Sequence, residues 1–244
     1  MSDTPPADRP PADPVPAYLT HYPEVLASGS LRDALQEVAD RAGLPLAVEL
    51  TAAPGWRVTA AQVTVGDRAA QVLMSIGDRS FSVHCWAAGV SMATGRTEEL
   101  SDVAGALHSW TRGHRLRELV ARWPFLRTWE LAEAYERGDA VPARWRSLRA
   151  SAEQRGDAAL LDLLGAAFAE PRLRVLSPGR SLCWLTFSRG AAPPICQDLP
   201  RTMPVKGGGY RIRFDDGRLQ DVDDAARAVR VVLAALPDDA VPRP

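Results

Sequence analysis

The chain has 244 residues, of which 46% are hydrophobic and 24% are charged. These ordinary globular values exclude a disordered, collagenous or disulfide-knot chain, and the length is enough for one large or two small cores. The formal net charge of -1 argues against a nucleic-acid partner, because proteins that bind nucleic acid usually carry an excess of basic charge on one face.

The first predicted elements are a leader and a capped helix. Residues 1–17 contain six prolines and almost no large apolar side chain, which predicts a disordered Pro-rich leader. An N-terminal α+β unit is predicted over residues 18–113. Its first helix should begin after Ser30, a residue type that caps helix N-termini, and should end at Gly43.

A run of strands is predicted after this helix. Gly-Asp dipeptides at 66–67 and 77–78 separate β-compatible segments, a spacing that favours an antiparallel meander. Along residues 81–86 the apolar side chains alternate with polar or amphipathic ones, so that Cys85 and His84 should face opposite sides of the sheet. A second helix is predicted to begin near Ser101.

A helical connector is predicted over residues 114–156. The pattern is helical throughout, but Pro124, Gly138 and Pro142 stand where one short helix could end and the next begin. Its many aromatic residues suggest that the connector packs between two other layers.

A C-terminal α+β unit is predicted over residues 157–237, followed by a tail at 238–244. Asp157 can cap its first helix. Its closing helix has a nearly ideal apolar stripe from Val222 to Leu236. The intervening strands are predicted at 173–177, 181–188 and 210–214, with a turn at 178–180.

The predicted fold class is therefore α+β, with two helix/antiparallel-sheet/helix units joined by the helical connector. The closing segments of the two units align at one constant offset, which places residues 95–96 on 217–218 and Asp102 on Asp224. An internal duplication is one interpretation. A single α+β domain with two similar edges is the other.

Cysteine and histidine usage argues against a metal site. Cys85, Cys183 and Cys196 show neither a disulfide framework nor CxxC spacing. The four histidines show no HExxH or HxH pattern. We expect no metal and no cofactor.

Targeting signals are also missing from the pattern. The N-terminus lacks the basic start and apolar stretch of a signal peptide, and no run approaches the roughly 18 apolar residues that span a bilayer. The sequence therefore predicts a cytoplasmic protein with no membrane partner.

The segment at 206–214, KGGGYRIRF, has a lysine before its glycines and a strand after them. A phosphate loop needs a helix N-terminus at this point. We expect a loose turn into a strand. An enzyme site assembled from residues distant in sequence stays open, and its weak catalytic candidates are His84, His108, Arg189 and Tyr210.

Seven tryptophans are a firmer clue, because tryptophan buries a large apolar area while keeping a polar edge accessible. Those of the connector are either core residues or part of an aromatic and guanidinium surface that suits a peptide or an acidic partner. The predicted binding residues are Trp123, Trp129, Trp145, Arg127, Arg146 and Arg149; Arg144 lies among them in the sequence.

Two segments carry a family resemblance. The segment WPFLRTWELAEAYERGDAVPARWRSLR and the order LRVLSPGRSLCWLTFSR, GGGYRIRF and DVDDAARAVRVVLAALP resemble an actinobacterial family of unknown function labelled as natural product biosynthesis proteins. The resemblance covers about residues 115–237 well and the first half more loosely. It implies a specialised-metabolite gene cluster as the setting, and it carries over no active-site residue.

Three functional hypotheses follow. The leading one is a non-catalytic accessory protein that binds a peptide or a partner protein from the same pathway. The second is an enzyme of specialised metabolism with a dispersed site. The third, an immunity-like or chaperone-like binding protein, rests on the helix-sheet-helix layout alone.

Overall fold

The computed structural model describes residues 16–51, 58–193, 198–238 and 240–241. The described residues do not include positions 1–15 of the predicted leader. They also do not include positions 239 and 242–244 of the predicted tail. Cys196 also lies outside the described residues.

The described residues form a mixed α+β fold with two antiparallel sheets, which confirms the predicted fold class. A short 3-10 helix spans Ala17–His21. The α-helices are α1 (Pro23–Ser28), α2 (Leu31–Arg41), α3 (Leu100–Thr111), α4 (Leu116–Arg122), α5 (Glu130–Arg137), α6 (Ala140–Gln154), α7 (Ala158–Ala169), α8 (Pro171–Arg174) and α9 (Ala225–Ala234). The strands are β1 (Glu49–Leu50), β2 (Ala60–Val65), β3 (Arg68–Met74), β4 (Phe81–Ala87), β5 (Val90–Thr97), β6 (Leu126–Arg127), β7 (Ser177–Ser181), β8 (Trp184–Ser188), β9 (Arg201–Pro204), β10 (Tyr210–Arg213) and β11 (Leu219–Val222).

The first sheet has the order β1-β2-β3-β4-β5-β6, which confirms the predicted meander. Helices α2 and α3 share its core. Ser30 caps α2 as predicted, because its Oγ accepts a hydrogen bond from the Asp33 amide. In β4 Val83 and Cys85 are buried while His84 is half-buried, so the predicted alternation of faces is confirmed.

Two strands of this sheet were not expected from the sequence. β5 lies where the sequence predicts no strand, and β6 interrupts the segment whose pattern predicts helix throughout. Gly95 makes the β5–β6 pairing possible, since a Cβ at this residue would lie 2.2 Å from the Phe125 carbonyl oxygen. Gly95 is thus a strand residue, whereas Gly217, its counterpart at the constant offset, has a φ of +84° in the turn between β10 and β11.

The connector contains α4, α5 and α6. Pro124 follows α4, and Gly138 ends α5 with a φ of +79°, as predicted. Pro142 does not separate two helices; it lies in the first turn of α6. This position tolerates proline because the first amides of a helix have no partner within the helix.

The second sheet has the order β11-β10-β9-β8-β7. Three predictions for it were wrong. Residues 171–174 are helical, so the first strand begins at Ser177; residues 178–180 lie in this strand; and Val222 pairs with Tyr210 in a strand instead of starting the last helix. Because β7 is an edge strand, Pro178 can lack an amide donor at little cost. β9 and β11 were missed, whereas the Asp157 cap of α7 is confirmed.

Buried apolar residues form two clusters. One extends from Leu19 to Ala132 and surrounds the first sheet. The other extends from Trp145 to Ala240 and surrounds the second. The domain boundaries and the duplication stay predictions.

Candidate functional site

An apolar cavity of about 350 Å³ lies between α6 and α7. We call it the α6–α7 cavity. It is lined by Pro142, Trp145, Arg146, Arg149, Leu164 and Phe168. Its volume falls within the range of about 300 to 1,000 Å³ that is usual for small-ligand pockets.

Trp145 forms the floor of this cavity and is only 5% exposed. Its indole Nε1 donates hydrogen bonds to the carbonyl oxygens of Arg174, at 3.1 Å, and Leu176, at 3.2 Å. The Phe168 ring meets the Trp145 ring edge to face, with centroids 5.3 Å apart, and is 45% exposed. The floor is therefore fixed by hydrogen bonds, while the aromatic wall is open to an incoming group.

Two arginines bring positive charge to the cavity. Arg146 Nη2 lies 3.0 Å from Glu130 Oε1 of α5, and Arg149 Nε lies 3.1 Å from Glu153 Oε1. More than half of each of these four side chains is exposed, and ion pairs in such positions are weak. The guanidinium groups can therefore leave these partners for an anion bound in the cavity.

The spacing of the α6 residues is the sequence signal for this site. Pro142, Trp145, Arg146 and Arg149 follow the i, i+3, i+4, i+7 pattern of one helix face. Sequence reasoning identified three of these four as binding residues but did not use their common face. It missed the facing residues Leu164 and Phe168 of α7.

The other predicted binding residues lie elsewhere. Trp123 packs on the first core: its Nε1 donates to Ser109 Oγ at 3.0 Å, and its ring occupies the space where a Cβ of Gly105 would be. Arg127 is exposed on β6, and Trp129 is 38% exposed before α5. None of these three side chains lines the α6–α7 cavity.

The structure does not bring the four catalytic candidates together. His84 stacks on Trp86, with ring centroids 5.8 Å apart, on the sheet face opposite Cys85. His108 belongs to α3, which shares the first core with Cys85. The sheet therefore lies between the two histidines.

The remaining two candidates belong to opposite ends of the second sheet. Arg189 follows β8, is 4% exposed and pairs with Asp198 at 2.5 Å. Tyr210 begins β10, and the pairing of β8, β9 and β10 places it level with Cys183. At about 3.3 Å per residue, the six residues from Cys183 to Arg189 span about 20 Å.

Tyr210 has a structural role in this arrangement. Its hydroxyl donates to the Ala159 carbonyl oxygen at 3.0 Å. Burial, and after it the carboxylates of Asp162, Asp224 and Asp157, raise the pKa of the Tyr210 phenol.

The triple-glycine segment is a turn into a strand, as predicted. Gly207, Gly208 and Gly209 all have positive φ, and a Cβ at Gly209 would lie 2.6 Å from the Val222 carbonyl oxygen. The turn borders a polar cavity of about 440 Å³ together with Tyr210 and Asp221. Asp221 is held there by Arg211, whose Nε lies 2.7 Å from its carboxylate.

Cys85 is a core residue. Burial raises the pKa of its thiol to about 12, which keeps the thiol protonated and poorly nucleophilic at neutral pH. Among the described residues there is no group of three or more His, Cys, Asp or Glu side chains that could hold a metal ion. The helices of the same part of the chain include none with the length and apolarity needed to cross a membrane.

Residues 139–243 match a family of unknown function, DUF6193. The match contains all six residues that line the α6–α7 cavity. No curated protein and no solved structure is significantly similar to the chain. The family match supports a domain of unknown function in this region and assigns it no activity.

Proposed function

We propose that the protein is a non-catalytic binding protein that holds an apolar group with an adjacent negative charge in the α6–α7 cavity. The ligand class is a peptide segment or a segment of a partner protein. The observation that carries the proposal is the apolar floor of Trp145 bordered by Arg146 and Arg149.

The chemistry of the cavity explains this choice of ligand. Burial of an aromatic or aliphatic side chain against Trp145, Leu164 and Phe168 would remove apolar surface from water, which contributes about 25 cal/mol per Å². A carboxylate beside that side chain would accept charge-assisted hydrogen bonds from the two guanidinium groups. Tryptophan and arginine are the residue types that most often dominate the free energy of protein interfaces.

The sequence resemblance supplies the biological setting of the proposal. In this setting the protein acts in the cytoplasm, as part of an actinobacterial natural product pathway. It binds a precursor peptide or a partner enzyme there. The enzyme alternative gains no support from the structure, because its four candidate residues do not lie together. The immunity-like or chaperone-like alternative would use the same cavity on a different partner.

The binding proposal can be tested with two matched probes, N-acetylphenylalanine and its amide, which differ by one negative charge. Titration would be followed through the Trp145 indole signal in ¹H–¹⁵N spectra. We expect both probes to shift this signal and the carboxylate to bind several-fold more tightly, because only the carboxylate can pair with the arginines.

Three variants separate the contribution of the apolar cavity to binding from that of the arginine charges. The Leu164→Trp change should fill the cavity and abolish binding of both probes. The double change Arg146→Gln and Arg149→Gln should leave the amide unaffected and remove the advantage of the carboxylate. Arg230→Gln, on the exposed surface of α9, is the control. A Trp145 signal that responds to neither probe would rule the proposal out.

The pathway setting needs a separate test in the producing cell. Deletion of the gene should remove or reduce one specialised metabolite while growth is unchanged. Complementation with the Leu164→Trp variant should fail, whereas Arg230→Gln should restore the metabolite. Restoration by both variants would show that the cavity has no part in the pathway.

A further inference from the structure

The second sheet has a core face and an outer face. Helices α7 and α9 pack against the core face, which carries Leu185, Phe187 and Ile212. The register of β8, β9 and β10 places six other side chains together on the opposite face, which we call the outer face: Trp184, Thr186, Arg201, Met203, Arg211 and Arg213. All six are half-buried or exposed.

The positive charge of the outer face is only partly neutralised. Asp221 on β11 is the only acidic residue among the described strand positions of this face, and Arg211 holds both of its carboxylate oxygens at 2.7 Å. Arg201 and Arg213 stand directly opposite each other on β9 and β10, and neither forms an ion pair with a described acidic residue. Like charges in directly opposite positions are unfavourable, so this arginine pair is suited to an anion from outside the sheet.

An apolar pair lies beside the two arginines. The Met203 thioether accepts a hydrogen bond from the Cys183 thiol, with the sulfur atoms 3.2 Å apart, and the register places Trp184 next to Met203 on the neighbouring strand. Met203 is two residues from Arg201 on β9, which corresponds to about 6.6 Å along the strand. Two side chains at positions i and i+2 of an extended peptide have the same spacing and point to the same side.

We propose that the outer face binds an extended segment of a partner protein in which an acidic residue lies two positions from a large apolar residue. The carboxylate lies between the guanidinium groups of Arg201 and Arg213, which donate charge-assisted hydrogen bonds to its two oxygens. The apolar side chain covers Trp184 and Met203, because an aromatic ring and a flexible thioether fit irregular apolar partners well.

The distribution of charge favours a peptide over a nucleic acid or an anionic lipid surface. Four exposed aspartates lie near the β11 edge of the sheet: Asp215, Asp216, Asp221 and Asp223. A phosphate backbone or a membrane that reached Arg213 would be repelled by these carboxylates. A single carboxylate on a peptide needs only the two arginines that have no acidic partner in the described part of the chain.

Two matched peptides test the proposal: acetyl-Phe-Gly-Glu-amide and acetyl-Phe-Gly-Gln-amide, which differ by one negative charge. Binding would be followed at pH 7 and low ionic strength through the Trp184 indole signal in ¹H–¹⁵N spectra. We expect the glutamate peptide to bind several-fold more tightly, because only it can pair with Arg201 and Arg213. Acetyl-Phe-Glu-Gly-amide should lose most of this advantage, since adjacent side chains of an extended chain point to opposite sides.

Four variants locate the binding. Arg201→Gln and Arg213→Gln should each weaken binding of the glutamate peptide several-fold and leave the glutamine peptide unaffected. Neither should lower the urea midpoint of unfolding, because each removes a like-charge neighbour. Met203→Gln should weaken binding of both peptides, because it removes apolar contact surface. Arg230→Gln, on the exposed surface of α9, is the control and should bind as the unchanged protein does.

Three results would overturn the proposal: no saturable shift of the Trp184 signal by the glutamate peptide below about 10 mM, equal affinity for the glutamate and glutamine peptides, or unchanged affinity in both Arg201→Gln and Arg213→Gln. Tighter binding of oligothymidylate or of phosphatidylserine vesicles at the same signal would also overturn it, and would assign the face to a nucleic acid or a membrane instead.

This outcome is independent of the proposed function, because none of the outer-face residues lines the α6–α7 cavity. The Arg213→Gln variant should bind N-acetylphenylalanine normally at that cavity, as reported by the Trp145 indole signal. Conversely, Leu164→Trp should leave the response of the Trp184 signal to the glutamate peptide unchanged.

Discussion

Trp110 in the first core and Trp145 in the second are anchored in the same way. The Trp110 Nε1 donates to the Ala69 carbonyl oxygen at 3.0 Å, and Trp145 Nε1 donates to two backbone carbonyl oxygens. Both side chains are buried, Trp110 completely. The difference lies in what covers the second face of each indole.

Arg68 covers Trp110. Its guanidinium carbon lies 4.2 Å from the Trp110 ring centroid, and its Nη1 donates to the carbonyl oxygens of Trp110 and His114. Near Trp145 the arginines instead pair with exposed glutamates and leave the α6–α7 cavity open. The same residue types therefore form a closed core in one half of the molecule and a candidate binding site in the other.

The largest expected effect is the loss of stability when Trp110 or Trp145 is replaced by alanine. We expect Trp110→Ala to lower the free energy of unfolding by about 3 to 5 kcal/mol, the usual cost of a large aromatic cavity in a core. Trp145→Ala should cost at least about 1 kcal/mol less, because the cavity side of this ring already lacks packing partners. Urea unfolding followed by circular dichroism measures both values.

Trp129→Ala is the control for this pair. The side chain is 38% exposed, so its loss should change the free energy of unfolding by less than about 1 kcal/mol. If Trp145→Ala lowered the free energy of unfolding more than Trp110→Ala does, the Trp145 ring would be packed as completely as the Trp110 ring.

The closed first core should also make stability fall at high pH. Burial raises the pKa of the Cys85 thiol to about 12, from an ordinary value near 9. Above pH 9 the unfolded chain loses this proton while the folded chain keeps it. The stability contribution of the neutral thiol is therefore complete below pH 9 and is lost as the pH rises toward 12, at about 1.4 kcal/mol per pH unit.

The measurement is the free energy of unfolding between pH 8 and 10.5 for the unchanged protein and for Cys85→Ala. Groups that both proteins share cancel in the difference, so the variant should show a flatter decline. Cys183→Ser is the control, because Cys183 is exposed and should keep the steeper slope. Equal slopes in the unchanged protein and Cys85→Ala would show that water reaches this core.

Local signals in the sequence predicted much of the fold. The caps at Ser30 and Asp157 and the alternation along β4 depend on contacts within a few residues, so single-sequence reasoning located them correctly. The position of Pro178 could not be predicted in this way. Proline and glycine usually mark a turn, but the strand order places this segment at a sheet edge, where both are tolerated.

The candidate site was predictable on one side only. Trp145, Arg146 and Arg149 belong to one helix, so their shared face follows from spacing. Leu164 and Phe168 come from another helix, and only the packing of α6 on α7 brings them to the same cavity. Trp123 belonged to the same predicted surface, but the missing side chain of Gly105 lets it fill a space in the first core.

The smallest expected effect concerns the ion pair between Arg146 and Glu130. It is also the most specific test of the α6–α7 cavity. Glu130 lies on α5, and both side chains are more than half exposed, so Glu130→Gln should change stability by less than about 1 kcal/mol. The variant nevertheless removes the charge that competes with a ligand for Arg146. We expect N-acetylphenylalanine to bind about two- to five-fold more tightly, which corresponds to the usual strength of such an exposed pair.

The amide probe should bind Glu130→Gln and the unchanged protein equally, because it has no charge to gain from a released arginine. Glu37→Gln, an exposed change on α2, controls for the change in net charge and should leave both affinities as they were. Weaker carboxylate binding in Glu130→Gln would mean that Glu130 positions Arg146 for the ligand instead of competing with it. In that case α5, which packs in the first core, would also be part of the binding site between α6 and α7.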